Sequence, residues 1–92
     1  MGRSSRPRPR HLAKKLRRIR ESLELSQAAM CDRLGFRKIH PAHISAYERD
    51  DREPPLPVLL KYARLVGIST DVLIDDELGL TPKNKRLNQR HT

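Results

Sequence analysis

Apolar residues recur at intervals of three and four positions early in the chain, which is the spacing of one face of an α-helix. The first such stripe consists of Leu12, Leu16, Ile19 and Leu23, and we expect its helix to begin at about Arg10 or His11. Pro7 and Pro9 disfavour helix before that point. The basic residues of this segment fall mostly off the stripe and are expected to face solvent: Lys14, Lys15, Arg17 and Arg18.

Capping residues and helix breakers divide the rest of the chain into four more short helices. Ser26 is a good N-cap for a helix over 27–34 that Gly35 ends, and Pro41 suits the first position of a helix over 41–48. Two prolines separate this helix from a fourth over about 56–66, and Ser69 caps a fifth that contains 72–74. The residues expected on the buried sides of the middle helices are Ala29, Met30, Leu34, Ile44, Tyr47, Leu56, Leu59, Tyr62, Ala63 and Val66. Five short helices with brief connections predict an all-α domain.

Charge is distributed unevenly along the 92 residues, whose formal net charge is +9. Residues 1–20 carry nine lysines and arginines and no acid, and residues 81–92 carry four and no acid, so the intervening residues have a net charge of −4. We divide the chain into a basic flexible arm (1–10), a folded domain (11–78) and a basic tail (79–92). Basic ends on a mildly acidic body favour a polyanionic partner, although such ends also occur simply as disordered, solubilising segments. The arm residues expected to contact phosphates are Arg3, Arg6, Arg8 and Arg10.

Composition disfavours several other classes of protein. Aromatic residues make up only 3% of the chain, which is too few for a typical β-sandwich or barrel. The single cysteine, Cys31, excludes an intramolecular disulfide and suits a reducing cytoplasm, and we expect it to be a buried packing residue. No apolar run approaches the ~20 residues of a membrane span. The N-terminus lacks the apolar stretch of a secretory signal.

The polar residues with catalytic or metal-binding potential do not form a convincing set. His40 and His43 are three positions apart, but no third ligand is evident nearby. Ser45 lies close to His43, but no third group is placed to orient the imidazole. Tyr47 and Tyr62 have helical spacing and are expected in the core. We therefore expect no metal, no cofactor and no enzymatic activity.

A series of short motifs appears in order along most of the chain. They are Leu16-Arg17-Arg18-Ile19-Arg20, Leu25-Ser26-Gln27, Leu34-Gly35, Ile44-Ser45-x-Tyr47-Glu48, Arg52-x-Pro54 and Leu59-x-x-x-Ala63-x-x-Val66-Gly67-Ile68-Ser69-x-Asp71-x-Leu73. Together they resemble the Cro and phage-repressor (XRE-like) class of helix-turn-helix DNA-binding domains over about residues 12–75. The resemblance implies a compact five-helix, lambda-repressor-like domain in which 27–34 supports 41–48, the helix that enters the major groove. The interval from Gly35 to Ile44 is nine residues, which is longer than the family pattern usually has.

The resemblance also implies roles for individual residues. On the reading helix, Ile44 and Tyr47 face the core, which leaves as base contacts Ala42, His43, Ser45, Ala46 and Arg49. Phosphate contacts are expected from Ser26 and Gln27 at the N-terminus of the supporting helix. In the longer turn, where the chain departs from the family pattern, Arg37, Lys38 and His40 are expected beside the reading helix as phosphate contacts. The turn residues are alternatively extra groove contacts. Arg20 and Glu48 are expected to form a structural ion pair, because the family often pairs an arginine of the first helix with a glutamate that ends the reading helix.

These observations predict a cytoplasmic, nucleoid-associated regulator that binds double-stranded DNA, most simply as a homodimeric repressor. The candidate dimer contacts are the apolar residues of the last two helices and the chain beyond them, namely Leu60, Leu65, Ile74, Leu78 and Leu80. We expect no room for an effector domain, so binding is constitutive or is controlled by a modulator protein. The alternative is an antitoxin that binds a toxin through residues 81–92 and autoregulates its operon. No membrane partner is expected.

Overall fold

The computed structural model describes residues 8–80, in which all regular structure is helical. The five helices are α1 (Leu12–Ser22), α2 (Gln27–Leu34), α3 (Pro41–Glu48), α4 (Leu56–Leu65) and α5 (Thr70–Ile74). The predicted all-α, five-helix class is therefore confirmed, and the expected ends of α1 and α4 differ from the observed ones by one or two residues. Within residues 8–80, none of the helices has both the length and the apolar character needed to cross a membrane.

Local capping sets the ends of the second and fifth helices, as the sequence predicts. The Ser26 hydroxyl accepts a hydrogen bond from the Ala29 N–H at 3.0 Å, and the Ser69 hydroxyl accepts one from the Asp71 N–H at 3.1 Å. Gly35 ends α2 with φ +79°, in the left-handed region that costs glycine least, and its N–H donates to the Cys31 carbonyl. These caps satisfy backbone groups that a helix end otherwise leaves unpaired.

Every helix contributes at least one side chain to a single core. The largest fully buried side chains are Leu16, Met30, Ile44, Tyr62 and Leu73. Helix α1 packs against α3 and α5, and α2 packs against α3 and α4. Burying an aliphatic or aromatic side chain of this size contributes about 1.5–3 kcal/mol, so this core is the main source of the domain's stability.

The inward face of α4 differs from the expected one. Leu56 is 71% exposed, and Val58, which was not expected inside, is buried together with Leu59. The reason is that Leu56 is the first residue of the helix, and the core-facing stripe runs through Val58, Leu59, Tyr62 and Ala63. Ala29 and Val66, also expected inside, are only half-buried.

Lys15 is expected from the sequence to face solvent, but the structure buries it, and only 5% of its surface is exposed. Its ammonium group donates to the carbonyl oxygens of Val72 at 2.8 Å and Asp75 at 3.1 Å, at the end of α5. The last carbonyls of a helix lack partners within it and carry partial negative charge, so a lysine there both caps α5 and ties it to α1. Burial lowers the pKa of Lys15, and the nearby carboxylates of Asp76 and Asp75 offset part of that effect.

A carboxylate from the far end of the domain caps the start of α1. The Asp76 oxygens accept hydrogen bonds from the backbone N–H of Arg10 at 2.9 Å and of His11 at 3.1 Å. These two bonds hold the pKa of Asp76 below its usual range, because they favour the charged carboxylate. Leu80, in the segment expected to be a tail, packs partly buried against the core.

Replacing Lys15 should therefore cost more stability than replacing its neighbour. Lys15→Ala leaves the Val72 carbonyl without its side-chain donor and the Asp75 carbonyl with only the Leu78 N–H, and it should lower the free energy of unfolding by about 1–3 kcal/mol. Lys14→Ala is the matched control, because Lys14 is exposed on the same helix, and it should change stability by less than about 0.5 kcal/mol. Urea unfolding of both variants measures the difference, and equal effects would contradict the assigned role of Lys15.

Candidate nucleic-acid interface

Helix α3 is held by one face and presents small side chains on the other. Ile44 and Tyr47 are buried, as expected. On the opposite side Ala42 is exposed, and Ser45 and Ala46 are half-buried. These three positions and Arg49 are spaced three and four apart, so they share one face of the helix. The structure thus brings four of the five predicted base-contacting residues onto a surface that a ligand can reach.

An ion pair fastens the end of α3 to α1. Arg20 Nε lies 2.6 Å from Glu48 Oε2, and Arg20 Nη2 lies 3.0 Å from Glu48 Oε1. The side chains are 15% and 5% exposed, so the pair is largely shielded from water. The hydrogen bond to Glu48 raises the pKa of Arg20 above its ordinary value. Arg20 Nη1 also donates to the Leu25 carbonyl at 2.9 Å, which fixes the connection that leads into α2. The expected pair is present.

Gln27 joins this ion pair, which the sequence alone does not indicate. Its Nε2 donates to Glu48 Oε1 at 3.2 Å. The amide group is therefore positioned at the first residue of α2, beside the capping residue Ser26. The exposed Ser26 and the half-buried Gln27 thus lie where free backbone N–H groups and the helix dipole favour an anion.

The longer turn between α2 and α3 is anchored by apolar residues. Phe36 and Ile39 pack partly buried against the core, and the Ile39 N–H donates to the Phe36 carbonyl at 3.2 Å. The Cys31 thiol donates to the Ile39 carbonyl at 3.5 Å. Arg37 and Lys38 lie between the two anchors and are exposed. The turn therefore has a defined shape, and its two cations are held at the solvent side next to α3.

His43 caps the start of α3 as well as lying beside its outward face. Its Nδ1 accepts a hydrogen bond from the backbone N–H of His40 at 2.9 Å, and the two imidazole rings stack with centroids 5.5 Å apart. His43 is half-buried and His40 is exposed. Across the described part of the chain, no three His, Cys, Asp or Glu side chains are placed to hold a metal ion together.

Two arginines at the other end of α3 are held by consecutive carboxylates. Arg49 Nε donates to Asp51 Oδ2 at 2.9 Å, and Arg49 Nη1 donates to the Ser45 hydroxyl. Arg8 Nη1 donates to the Asp50 carbonyl oxygen at 2.8 Å and to Asp50 Oδ1 at 3.1 Å. This part of the arm therefore lies beside the end of α3, an arrangement that the uneven charge distribution does not reveal.

Of the three other arm arginines, Arg10 lies within the described residues. Arg10 is exposed, and its backbone N–H is the group bound to Asp76. Arg3 and Arg6, with tail residues 81–92, lie outside the described residues.

The three side chains that the sequence predicts to be core residues rather than functional ones do lie in the core. Tyr47, Tyr62 and Cys31 are buried, and burial raises the pKa of all three. For Cys31 this favours the protonated thiol, which is a poor nucleophile.

Comparison with known proteins gives a consistent set of relatives. A family model described as helix-turn-helix matches residues 16–73. The HTH-type transcriptional regulator ImmR of Bacillus subtilis (strain 168) is 33% identical over 79 residues, which are 85% of this chain and 60% of that protein. The uncharacterized HTH-type transcriptional regulator YobD of the same strain is 32% identical over 78 residues, which are 80% of this chain and 63% of that protein. The chain thus spans about three fifths of the length of these relatives.

A solved structure is similar in both fold and sequence. The P22 c2 repressor protein, crystallised in complex with a synthetic operator, superimposes with a TM-score of 0.61 and 28% sequence identity. The match covers 71% of this chain and 94% of that one.

Removing the carboxylate of the buried pair should destabilise the domain strongly. Glu48→Ala leaves the Arg20 guanidinium largely buried without its partner and should cost about 3–5 kcal/mol of unfolding free energy. Glu21→Ala is the matched control, because Glu21 pairs with Arg17 on the exposed face of α1 at 3.0 Å, and it should cost less than about 1 kcal/mol. Thermal or urea unfolding compares the two, and similar losses would refute the structural importance of the Arg20–Glu48 pair.

Proposed function

Because the chain belongs to the Cro and phage-repressor (XRE-like) helix-turn-helix family of DNA-binding domains, we propose that it is a sequence-specific transcriptional regulator, acting as a dimeric repressor. The observation that carries the proposal is the presentation of α3. Ile44, Tyr47 and the Arg20–Glu48 pair fix its buried side. Its outward side carries small side chains and is open to a ligand. A major groove about 12 Å wide accepts one helix held in this way.

Phosphate contacts are proposed on both sides of the reading helix. Ser26 and Gln27 offer donors at the N-terminus of α2, and the exposed Arg37 and Lys38 offer positive charge beside the start of α3. His40 is next to them at the N-cap of α3. These contacts position the protein on the duplex and carry no sequence information themselves.

Base contacts are proposed for the outward residues of α3. The methyl groups of Ala42 and Ala46 suit thymine methyl groups, and the Ser45 hydroxyl can bond to several bases. His43 retains only Nε2 for a base, because its Nδ1 caps the helix. Arg49 is therefore the strongest candidate for reading guanine, and DNA shape supplies further selectivity.

A homodimer is proposed because one short reading helix covers few base pairs. The exposed apolar side chains available for a second copy are Leu56, Leu60, Ile74 and Leu78. Leu65 and Leu80 are weaker candidates, since both pack partly against the protein's own core. We also propose that the protein is located in the cytoplasm and associates with the nucleoid. No observation on residues 8–80 favours the antitoxin alternative, and its toxin-binding segment, 81–92, lies outside them.

Selection of bound duplexes from a randomised pool tests the proposed function. We expect an enriched site with two-fold symmetry, whose half-site centres are roughly 34–36 Å apart or a multiple of that. Binding should weaken steeply as salt concentration rises, because phosphate contacts release counterions. A pool without an enriched sequence would refute the proposal, and an enriched site without symmetry would refute the dimer.

Phosphate and base contacts should respond differently to substitution. Gln27→Ala should weaken binding to the selected site and to unrelated duplexes by a similar factor, about fivefold for one lost hydrogen bond. Ser45→Ala should instead reduce discrimination between the selected site and its single-base-pair variants. Titration of each variant against the same set of duplexes measures both effects, and a sequence-dependent loss for Gln27→Ala would contradict its assignment to phosphate.

A further inference from the structure

We propose that Asp51 is a positioning residue that sets sequence specificity by holding the guanidinium of Arg49. Its carboxylate fixes Arg49 at the end of α3 before DNA is bound, so that the remaining N–H groups point at a base pair. The inference rests on the proposed function and extends it to a residue that has no assigned contact with DNA.

The contacts of Arg49 come from two different directions. Nε donates to Asp51 Oδ2 at 2.9 Å, and Nη1 donates to the Ser45 hydroxyl one helical turn earlier. A planar guanidinium bound at two of its nitrogens cannot rotate freely about its side chain. Within residues 8–80, Nη2 and the second hydrogen of Nη1 are left to donate. Two adjacent donors of this kind match the O6 and N7 acceptors of guanine in the major groove.

The backbone sets the position of Asp51 independently of its side chain. After Arg49, the C-cap of α3, Asp50 adopts φ +61°, and the chain reverses. The Asp51 N–H donates to the Ala46 carbonyl at 2.9 Å, and the Asp50 N–H donates to the Tyr47 carbonyl at 3.3 Å. This pair of bonds is a Schellman motif, which ends a helix in a defined geometry. The Asp51 carboxylate is therefore carried on a fixed turn beside Arg49.

The rest of α3 makes this positioning necessary. Ala42 and Ala46 cannot donate hydrogen bonds through their side chains, so discrimination by hydrogen bonding depends on few groups. Arg49 and Asp51 are 62% and 59% exposed, so burial does not confine the arginine, and its position depends on its contacts with Asp51 and Ser45. An unrestrained arginine at this surface would bind phosphate oxygens as readily as a base edge.

Charge alone predicts a different result from positioning, so the two are separable. Removing a carboxylate near DNA should tighten binding to every duplex. Losing the Asp51–Arg49 contact should in addition reduce discrimination at one base pair. Asp50→Asn is the matched control, because it removes the same charge at the adjacent residue, whose carboxylate contacts Arg8.

The probes are a duplex selected by the wild-type protein from a randomised pool and its single-base-pair variants. Arg49→Ala first identifies the base pair that Arg49 reads, as the one where discrimination is lost. Asp51→Asn should lower discrimination at that base pair by about three- to tenfold and leave unrelated duplexes bound equally well or more tightly. Asp50→Asn should leave the discrimination unchanged. Thermal unfolding midpoints should match the wild type for both variants, because exposed ion pairs contribute little to stability.

A double-mutant cycle completes the test. When Arg49 is already alanine, Asp51→Asn should cause no further loss of discrimination, since its effect passes through the arginine. The inference is overturned if Asp51→Asn keeps wild-type discrimination at that base pair, if it loses as much without Arg49, or if Arg49→Ala relaxes no base pair. A randomised pool that yields no preferred duplex refutes the proposed function itself, which is a separate outcome.

Discussion

The bidentate contact between Arg20 and Glu48 is the constraint on which the arrangement of the first three helices depends. Transferring two charges from water into a largely buried site is unfavourable unless their geometry is good and their remaining hydrogen-bonding groups are satisfied. Here the guanidinium also donates to the Leu25 carbonyl, and the carboxylate also accepts from Gln27. One polar cluster therefore joins α1, the entry to α2 and the end of α3. The angle at which α3 is presented follows from this cluster together with the packing of Ile44 and Tyr47.

Helix α3 has eight residues, which is too short to be stable by itself in water. Its conformation is consequently determined at its ends and on its buried side. At the start, Pro41 and the bond from the His40 N–H to His43 favour the first turn. At the end, the Schellman motif and Glu48 fix the last turn. The apolar anchors Phe36 and Ile39 hold the preceding connection, so its greater length does not loosen the helix it leads into.

Much of this organisation is readable from sequence because it depends on local chemistry. Helical spacing places Leu16 and Ile44 inside, and Ser26 and Gly35 mark the two ends of α2. Other features depend on a residue's place within its helix or on the groups that the folded chain brings together, and spacing alone does not show them. Lys15 is buried because its ammonium group donates to carbonyl groups 57 and 60 residues later in the chain, which its local sequence does not reveal. Leu56 is exposed because it lies at the first turn of its helix. The Arg20–Glu48 pair is expected through family resemblance. The sequence pattern does not reveal that Gln27 joins Glu48 or that Asp51 binds Arg49 across the turn that ends α3.

The contacts of α1 with α5 and with the residues after it have a consequence for how the chain folds as it is synthesised. Lys15 donates to the carbonyl groups of Val72 and Asp75. The backbone N–H groups of Arg10 and His11 donate to the Asp76 carboxylate. Helix α1 is synthesised before the other four helices of residues 8–80, yet it gains all these partners only after Val72, Asp75 and Asp76 have been translated. Contacts this far apart in sequence also slow folding relative to a bundle with only local contacts. The two ends of the domain therefore meet in the same set of contacts. A truncation after α5 would remove Asp75 and the Asp76 carboxylate, which would weaken the start of α1 as well as the end of α5.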